Sequence, residues 1–128
     1  MKQSFIKNIL AGSLLVLLAA CGKEDTPAPV PALAFTQKTI TSTIFAPLIE
    51  HSAVSFNGKL WVIGGRSGAT YRNEIWNSAD GAAWSPVAIT GPVFPIRSAH
   101  KVLVFNNKLW IIAGLSNAVA LNDVWSSA

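Results

Sequence analysis

From residue 51 the chain alternates short apolar runs with polar punctuation. HSAVSFN (51–57) and KLWVI (59–63) are two such runs, and Asn57-Gly58 stands between them. Asn-Gly is the strongest short hairpin signal, because both residues adopt positive φ at low cost, as a tight type I′ turn demands. Gly64-Gly65 closes the second run, and the polar stretch RSGATYR (66–72) reads as a long loop. NEIWNSA (73–79) alternates again, Ile75 facing the side opposite to Glu74 and Trp76. Asp80-Gly81 then turns the chain into AAWSPVAI (82–89), a fourth strand. The pattern predicts a four-stranded antiparallel meander.

The pattern then recurs. Shifted by 49 residues, His51 falls on His100, HSAVSFNGKLWVIGG on HKVLVFNNKLWIIAG, and NEIWNS on NDVWSS. Upstream, Ala34, Ile40, Thr41 and Phe45 fall on Ala83, Ile89, Thr90 and Phe94. AFTQKTIT (34–41) thus aligns with AWSPVAIT (83–90), Phe35 standing for Trp84. Two repeats follow, 34–82 and 83–128, each in the phase fourth-first-second-third. The second copy departs at Ala113, where the first glycine of the pair is expected, and at Asn107, which replaces Gly58. Ala113 is the larger departure if that position needs positive φ, since asparagine tolerates the left-handed region.

The order His, apolar strand, Asn-Gly, Leu-Trp-Val-Ile-Gly-Gly, Asn-acidic-apolar-Trp and a distal Trp resembles a kelch repeat. The variety with a Ser-x-Asp-Gly-x-x-Trp segment, here Ser78 to Trp84, is that of bacterial kelch-type lipoproteins. The resemblance covers residues 34–128. It implies an all-β fold: a partial β-propeller of two four-stranded antiparallel blades in permuted phase, after a signal peptide and a Pro-rich linker. It makes His51, Gly64, Gly65, Trp76, Trp84, His100, Gly114 and Trp125 structural repeat residues. Propellers close a ring with four to eight blades. Two blades imply either the front part of a longer propeller or several copies assembled into one ring, each amino-terminal strand filling a neighbour's vacant position. An uncovered third strand carrying Val124 and Trp125 would otherwise be an exposed edge.

The amino end has a different character. Lys2 and Lys7 precede an apolar stretch from Ile9 to Ala20, the length of a signal-peptide h-region and short for a bilayer of roughly 30 Å. Leu18-Ala19-Ala20-Cys21 resembles a bacterial lipobox, which implies a signal peptide over 1–20 and a lipid on Cys21; an ordinary secretory signal or an uncleaved anchor are the alternatives. Cys21 is the only cysteine, so no intrachain disulfide forms. From Cys21 to residue 33 the chain reads as a tether, Pro27, Pro29 and Pro31 holding it extended at roughly 3.1 Å per residue. Gly22 stands where an inner-membrane retention signal has Asp, which points to the outer membrane. Lys23-Glu24-Asp25 resembles the export tag of surface lipoproteins and reads equally as a solvated linker.

Charge adds little. Removing Lys2 and Lys7 from the net +4 leaves +2, and the remaining basic residues are scattered without a stripe, so nucleic acid is not an expected partner. His51 and His100 form a pair without a third ligand, and their recurrence favours a structural hydrogen-bonding role over metal binding. Trp61, Trp76, Trp84, Trp110 and Trp125 sit at repeated strand positions, which favours inter-blade packing over sugar stacking. Galactose oxidase shares the propeller fold, but Tyr71 is the only tyrosine here and Cys21 is spent on lipid. The Ser78–Trp84 turn resembles the Asp-box of sialidases without their arginine cluster. No phosphate loop, nucleophile elbow or carboxylate pair is visible, and no cofactor or metal is expected.

The long loops 66–72 and 115–121 should share one face with the connector 90–99. Arg66, Tyr71, Arg72 and Arg97 are therefore the candidate binding-loop residues, Arg97 reading either as a ligand contact or as a solvent-facing loop residue. The expected function is a lipid-anchored, non-catalytic module at the bacterial cell envelope, binding a protein or glycan. The alternative is the front part of a galactose oxidase-like or sialidase-like enzyme with its catalytic residues in further blades.

Overall fold

The computed structural model describes residues 31–128; the leader, Cys21 and the tether to residue 30 lie outside the described residues. Seven strands follow in chain order: β1 (Ser52–Phe56), β2 (Lys59–Ser67), β3 (Thr70–Ser78), β4 (Ser85–Pro86), β5 (Lys101–Phe105), β6 (Lys108–Ser116) and β7 (Val119–Ser126). They form two antiparallel sheets, β1-β2-β3-β4 and β5-β6-β7, called blade 1 and blade 2 below. The described residues are all-β, as expected, and the two registers are copies of each other. Ser52↔Ile63 through Phe56↔Lys59 in blade 1 recur as Lys101↔Ile112 through Phe105↔Lys108 in blade 2. Both first hairpins turn on two residues of positive φ, Asn57 and Gly58 (49° and 68°), Asn106 and Asn107 (49° and 54°). Asn107 therefore fills the place of Gly58 without changing the turn.

The long loops expected at 66–72 and 115–121 are not loops. β2 continues through Gly64-Gly65 to Ser67, and β3 starts at Thr70 after a tight turn on Gly68 and Ala69. Gly64, at φ 57°, does not end the strand but stands opposite a bulge in β3. It alone faces Asn73 and Glu74 between the pairs Ile63↔Ile75 and Gly65↔Arg72, after which the ladder resumes. Ala113, at φ 54°, does the same in blade 2 between Ile112↔Val124 and Gly114↔Leu121.

The fourth strand is also shorter than expected. Of 82–89 only Ser85 and Pro86 pair with β3, and the Val87 N–H adds one bond to the Ile75 carbonyl at 2.8 Å. The Asp80 carboxylate captures the Ala82 and Ala83 amides at 2.8 Å each, and Pro86 has no N–H to give. Residues 34–41, aligned with that strand, form no strand in their own chain. The Thr41 N–H reaches the Ala82 carbonyl at 3.2 Å, and the Ser42 hydroxyl accepts the Trp84 N–H at 2.7 Å. Blade 2 accordingly has three strands among the described residues, where four were expected.

The core lies between the blades. Ile63, Phe94, Leu109 and Ile111 are buried there, with Val54, Phe56, Trp61, Ile75, Ile89, Val102 and Trp125 packed around them. Residues 97–99 of the connector stitch the sheets together by backbone bonds. The Gly65 N–H donates to the Arg97 carbonyl (2.8 Å), the Arg97 N–H to the Arg72 carbonyl (2.9 Å) and the Ala99 N–H to the Glu50 carbonyl (2.9 Å). On the other side Ser98 and Leu115 exchange both of their bonds, at 2.9 and 2.8 Å. The His100 ring then seats on Gly64: a Cβ there would lie 2.8 Å from its Cε1 and 3.1 Å from the Arg97 carbonyl.

These contacts separate two equivalent positions. Gly64→Ala should cost roughly 2–4 kcal/mol, adding a clash with His100 to the left-handed strain. Ala113→Gly should stabilise by about 0.5–1 kcal/mol, because it relieves that strain at a smaller entropic cost. Urea unfolding midpoints of the two variants should move in opposite directions.

Candidate functional site

The β2–β3 turn, the β6–β7 turn and the connector gather at one end of the blades, and the charged side chains gather with them. Arg66 lies on β2 opposite Tyr71 on β3, and Arg72 lies opposite Gly65. All three were expected in a loop; the continued ladder makes them strand residues at a hairpin tip. Arg66 grips Glu50 through both carboxylate oxygens at 3.0 Å and donates to the Gly68 carbonyl at 3.0 Å. The Ser98 hydroxyl adds a bond to Glu50 at 2.8 Å. Arg66 first, then Ser98, hold the Glu50 carboxyl down at about 2. The Tyr71 hydroxyl accepts the Ala118 N–H at 3.2 Å and so bridges the two hairpin tips.

Arg97 is neither a solvent-facing residue nor available to a ligand. It is 0% exposed. Its guanidinium forks onto Asp123 at 2.8 and 2.7 Å, reaches the Ala113 carbonyl at 2.8 Å and the Pro95 carbonyl at 3.2 Å, and lies 5.6 Å from the Phe94 ring centre. The physical reason is the connector's path: threading between the sheets buries position 97, and a buried cation requires a fixed carboxylate. Arg97, then the indole N–H of Trp125 (2.7 Å), bring the Asp123 carboxyl to about 2. In blade 1 the matching acidic residue meets its partners on one strand near the surface, Arg72 and the Trp76 indole both donating to Glu74 at 2.8 and 3.2 Å. The cation has moved between copies, Leu48 and Arg72 becoming Arg97 and Leu121.

The two histidines have different lives. His51 is exposed, with its Cβ 2.8 Å from where a Gly65 Cβ would sit. His100 repeats that crossing over Gly114 at 2.8 Å, and is itself 2% exposed. Neither ring nitrogen of His100 finds a hydrogen-bond partner among the described residues, so the hydrogen-bonding role expected for it gives way to a packing role. The close backbone crossing demands glycine at 65 and 114. Burial, and next the Arg97 charge, push His100 down to about 4, while the Ile63 carbonyl acts weakly in the other direction.

The tryptophans clamp the blades. The Trp61 and Trp110 indoles donate to the Phe56 and Phe105 carbonyls at 2.9 Å each, the rings lying 6.2 and 6.4 Å apart. Phe45 packs edge-on against Trp76 (6.1 Å) and Trp84 (5.2 Å), whereas its counterpart Phe94 meets Trp125 alone (6.5 Å). Among the described residues no three His, Cys, Asp or Glu side chains converge as metal ligands would. The sequence singles out Arg66, Tyr71, Arg72 and Arg97, but not Glu50, which holds Arg66 with Ser98 bonded behind it, or Asp123, which holds Arg97. Chemically this end offers carboxylates held ionised by arginine partners.

Residues 47–80, which run from just before β1 to just past β3, match the family model described as Kelch motif. No curated protein matches the chain. The match supports a kelch-repeat relationship, and the paired antiparallel sheets fit propeller blades of that kind.

Asp123→Ala should cost about 3 kcal/mol or more, because it strands Arg97 as an unpaired buried charge, whereas Glu50→Gln at the solvent-screened pair should cost much less. Chemical denaturation of both variants checks the difference. Stability should also fall in two acid windows. His100 binds no proton in the fold until about pH 4, against an ordinary 6.5, so its share is intact above 6.5 and declines towards 4. That decline should total roughly 3 kcal/mol. Glu50 and Asp123 lose their contribution lower, as pH falls from their ordinary values of 4.5 and 3.8 towards 2. Unfolding midpoints measured between pH 7 and 2 should show both windows, and His100→Gln should remove only the upper one.

Proposed function

We propose that the chain is a lipid-anchored, non-catalytic binding module of a bacterial cell envelope, which takes a protein partner at its hairpin-tip end. The observation that carries this reading is a difference between two equal scaffolds. The tips of β2–β3 and β6–β7 pair in the same register, yet Arg66, Tyr71 and Arg72 in one stand where Leu115, Ala120 and Leu121 stand in the other. One tip offers basic and aromatic side chains and the other apolar ones, on strands paired in the same register. A protein surface suits that combination, since a polar rim beside an apolar patch is what protein interfaces use. A glycan is less favoured, because the indoles that would stack on sugar are tied to Phe56, Phe105, Glu74 and Asp123. The Kelch motif over 47–80 fits a protein-binding module.

The anchor rests on the Leu18–Cys21 segment, whose acyl chains would add about 0.8 kcal/mol per buried CH₂. Two measurements on cells test the reading. Cys21→Ser should release the protein from the membrane fraction; retention at wild-type levels would remove the lipid. A photo-crosslinking residue at Tyr71 should capture a discrete envelope protein, while the same group at Lys59, at the opposite end of β2, should not. Equal capture from both positions would remove the hairpin tips as the binding surface.

A further inference from the structure

Asn57-Gly58, Asp80-Gly81, Asn106-Asn107 and Asn117-Ala118 are turns in which a side-chain carbonyl carbon stands one residue ahead of a backbone nitrogen. That nitrogen can attack the carbon, most readily where the second residue is glycine and no Cβ crowds the approach. The structure closes the other turns to this chemistry. The Gly81 N–H is committed to the Ser78 hydroxyl at 2.9 Å, and the Asp80 carboxylate takes the Ala83 and Ala82 amides at 2.8 Å each. Ala83 first, then Ala82, hold the Asp80 carboxyl below its ordinary value, and a carboxylate anion is a poor electrophile. The Ala118 N–H is held by the Tyr71 hydroxyl at 3.2 Å, and in the Asn106 turn the attacking residue carries a full asparagine side chain.

Asn57-Gly58 has none of these protections. Among the described residues neither the Asn57 side chain nor the Gly58 N–H takes part in a hydrogen bond, and no heavy atom lies within 4 Å of where a Gly58 Cβ would point. Asn57, Gly58, Lys59 and Leu60 are all exposed. The turn has to open for the nitrogen to reach the carbon, and opening costs least at such an end, where Phe56↔Lys59 is the pair that closes it.

We propose that Asn57-Gly58 is a self-modification site, at which the folded chain converts asparagine into aspartate and isoaspartate. The Gly58 nitrogen gives its proton to solvent base and attacks Cγ of Asn57. The N–Cγ bond closes a succinimide ring, the Cγ–Nδ2 bond breaks, and Nδ2 leaves as ammonia with a proton from water. Water then opens the ring. Addition at Cγ gives aspartate; addition at the main-chain carbonyl carbon gives isoaspartate, with Gly58 now bonded to Cγ. Nothing is oxidised or reduced, and water is the sole co-reactant. Isoaspartate lengthens the backbone by a methylene inside a two-residue loop whose length fixes the register, so Phe56↔Lys59 is the first pair to part. The Trp61 indole hangs on the Phe56 carbonyl at 2.9 Å, and both rings pack on the core, so a change at the exposed turn reaches the interior. The site lies at the end of β2 away from the hairpin tips, and the inference is independent of what those tips bind.

The test incubates the full 128-residue chain, folded in detergent micelles, in mildly alkaline buffer and maps its peptides. Acid and isoaspartate should build up at position 57 at least about fivefold faster than at 106 or 117, and no isoaspartate should form at 80. Hydroxylamine, which attacks a succinimide, should cut the chain between 57 and 58. Gly58→Asn should suppress the reaction at 57 with an unchanged far-ultraviolet spectrum, because it copies the turn that blade 2 already makes. Asn107→Gly should create the same reactivity at 106. In the modified chain the Lys59 amide should exchange faster than in the unmodified one. Equal rates at 57 and 106 in the native sequence, isoaspartate at 80, or an Asn57 that reacts only in the denatured chain would each overturn the proposal. So would a reaction that survives Gly58→Asn, an Asn106 that stays inert in Asn107→Gly, or a Lys59 amide that the modification leaves protected.

Discussion

The buried fork between Arg97 and Asp123 governs how the two blades sit together. A sheet of three or four short strands cannot cover both of its faces, so each blade depends on its neighbour for a core. The connector supplies that neighbour relation, donating and accepting backbone bonds on both sides through residues 97–99. A segment so enclosed loses water on every side. Its one cation therefore needs the two oxygens of Asp123 and the Ala113 and Pro95 carbonyls, all of which the structure provides. Glu50 and Ala99, at φ 56° and 54°, are the strained points where the chain leaves each connector for its first strand. Such strain persists because the surrounding hydrogen bonds over-determine the path.

How much of this was legible depended on whether the physics was local. Asn57-Gly58 and its copy Asn106-Asn107 announce their turns in two residues, and the turns are there. Gly64-Gly65 is local too, yet it read as a stop because paired glycines usually punctuate. Here a single left-handed residue, set against two on β3, shifts the ladder and lets it continue. The Ser-Gly-Ala-Thr turn at 67–70 carried its own signal, glycine as the first of two turn residues, hidden within polar composition. The fourth strand was overread because alternation cannot show that Asp80 takes the Ala82 and Ala83 amides. Asp123 was beyond sequence reach as Arg97's partner, since only the folded register brings residues 26 apart into a fork. A trace remained in the exchanged positions, arginine passing from 72 to 97 as leucine passed from 48 to 121.

The histidines show the same limit more sharply. His51 and His100 align, cross glycine identically and still differ in burial, because a repeat's environment comes from the repeat beside it. His100 has blade 1 to rest on, and Gly64 leaves room for its ring. His51 has no such neighbour among the described residues and stands exposed. Identical residues in a repeat array are therefore not identical sites.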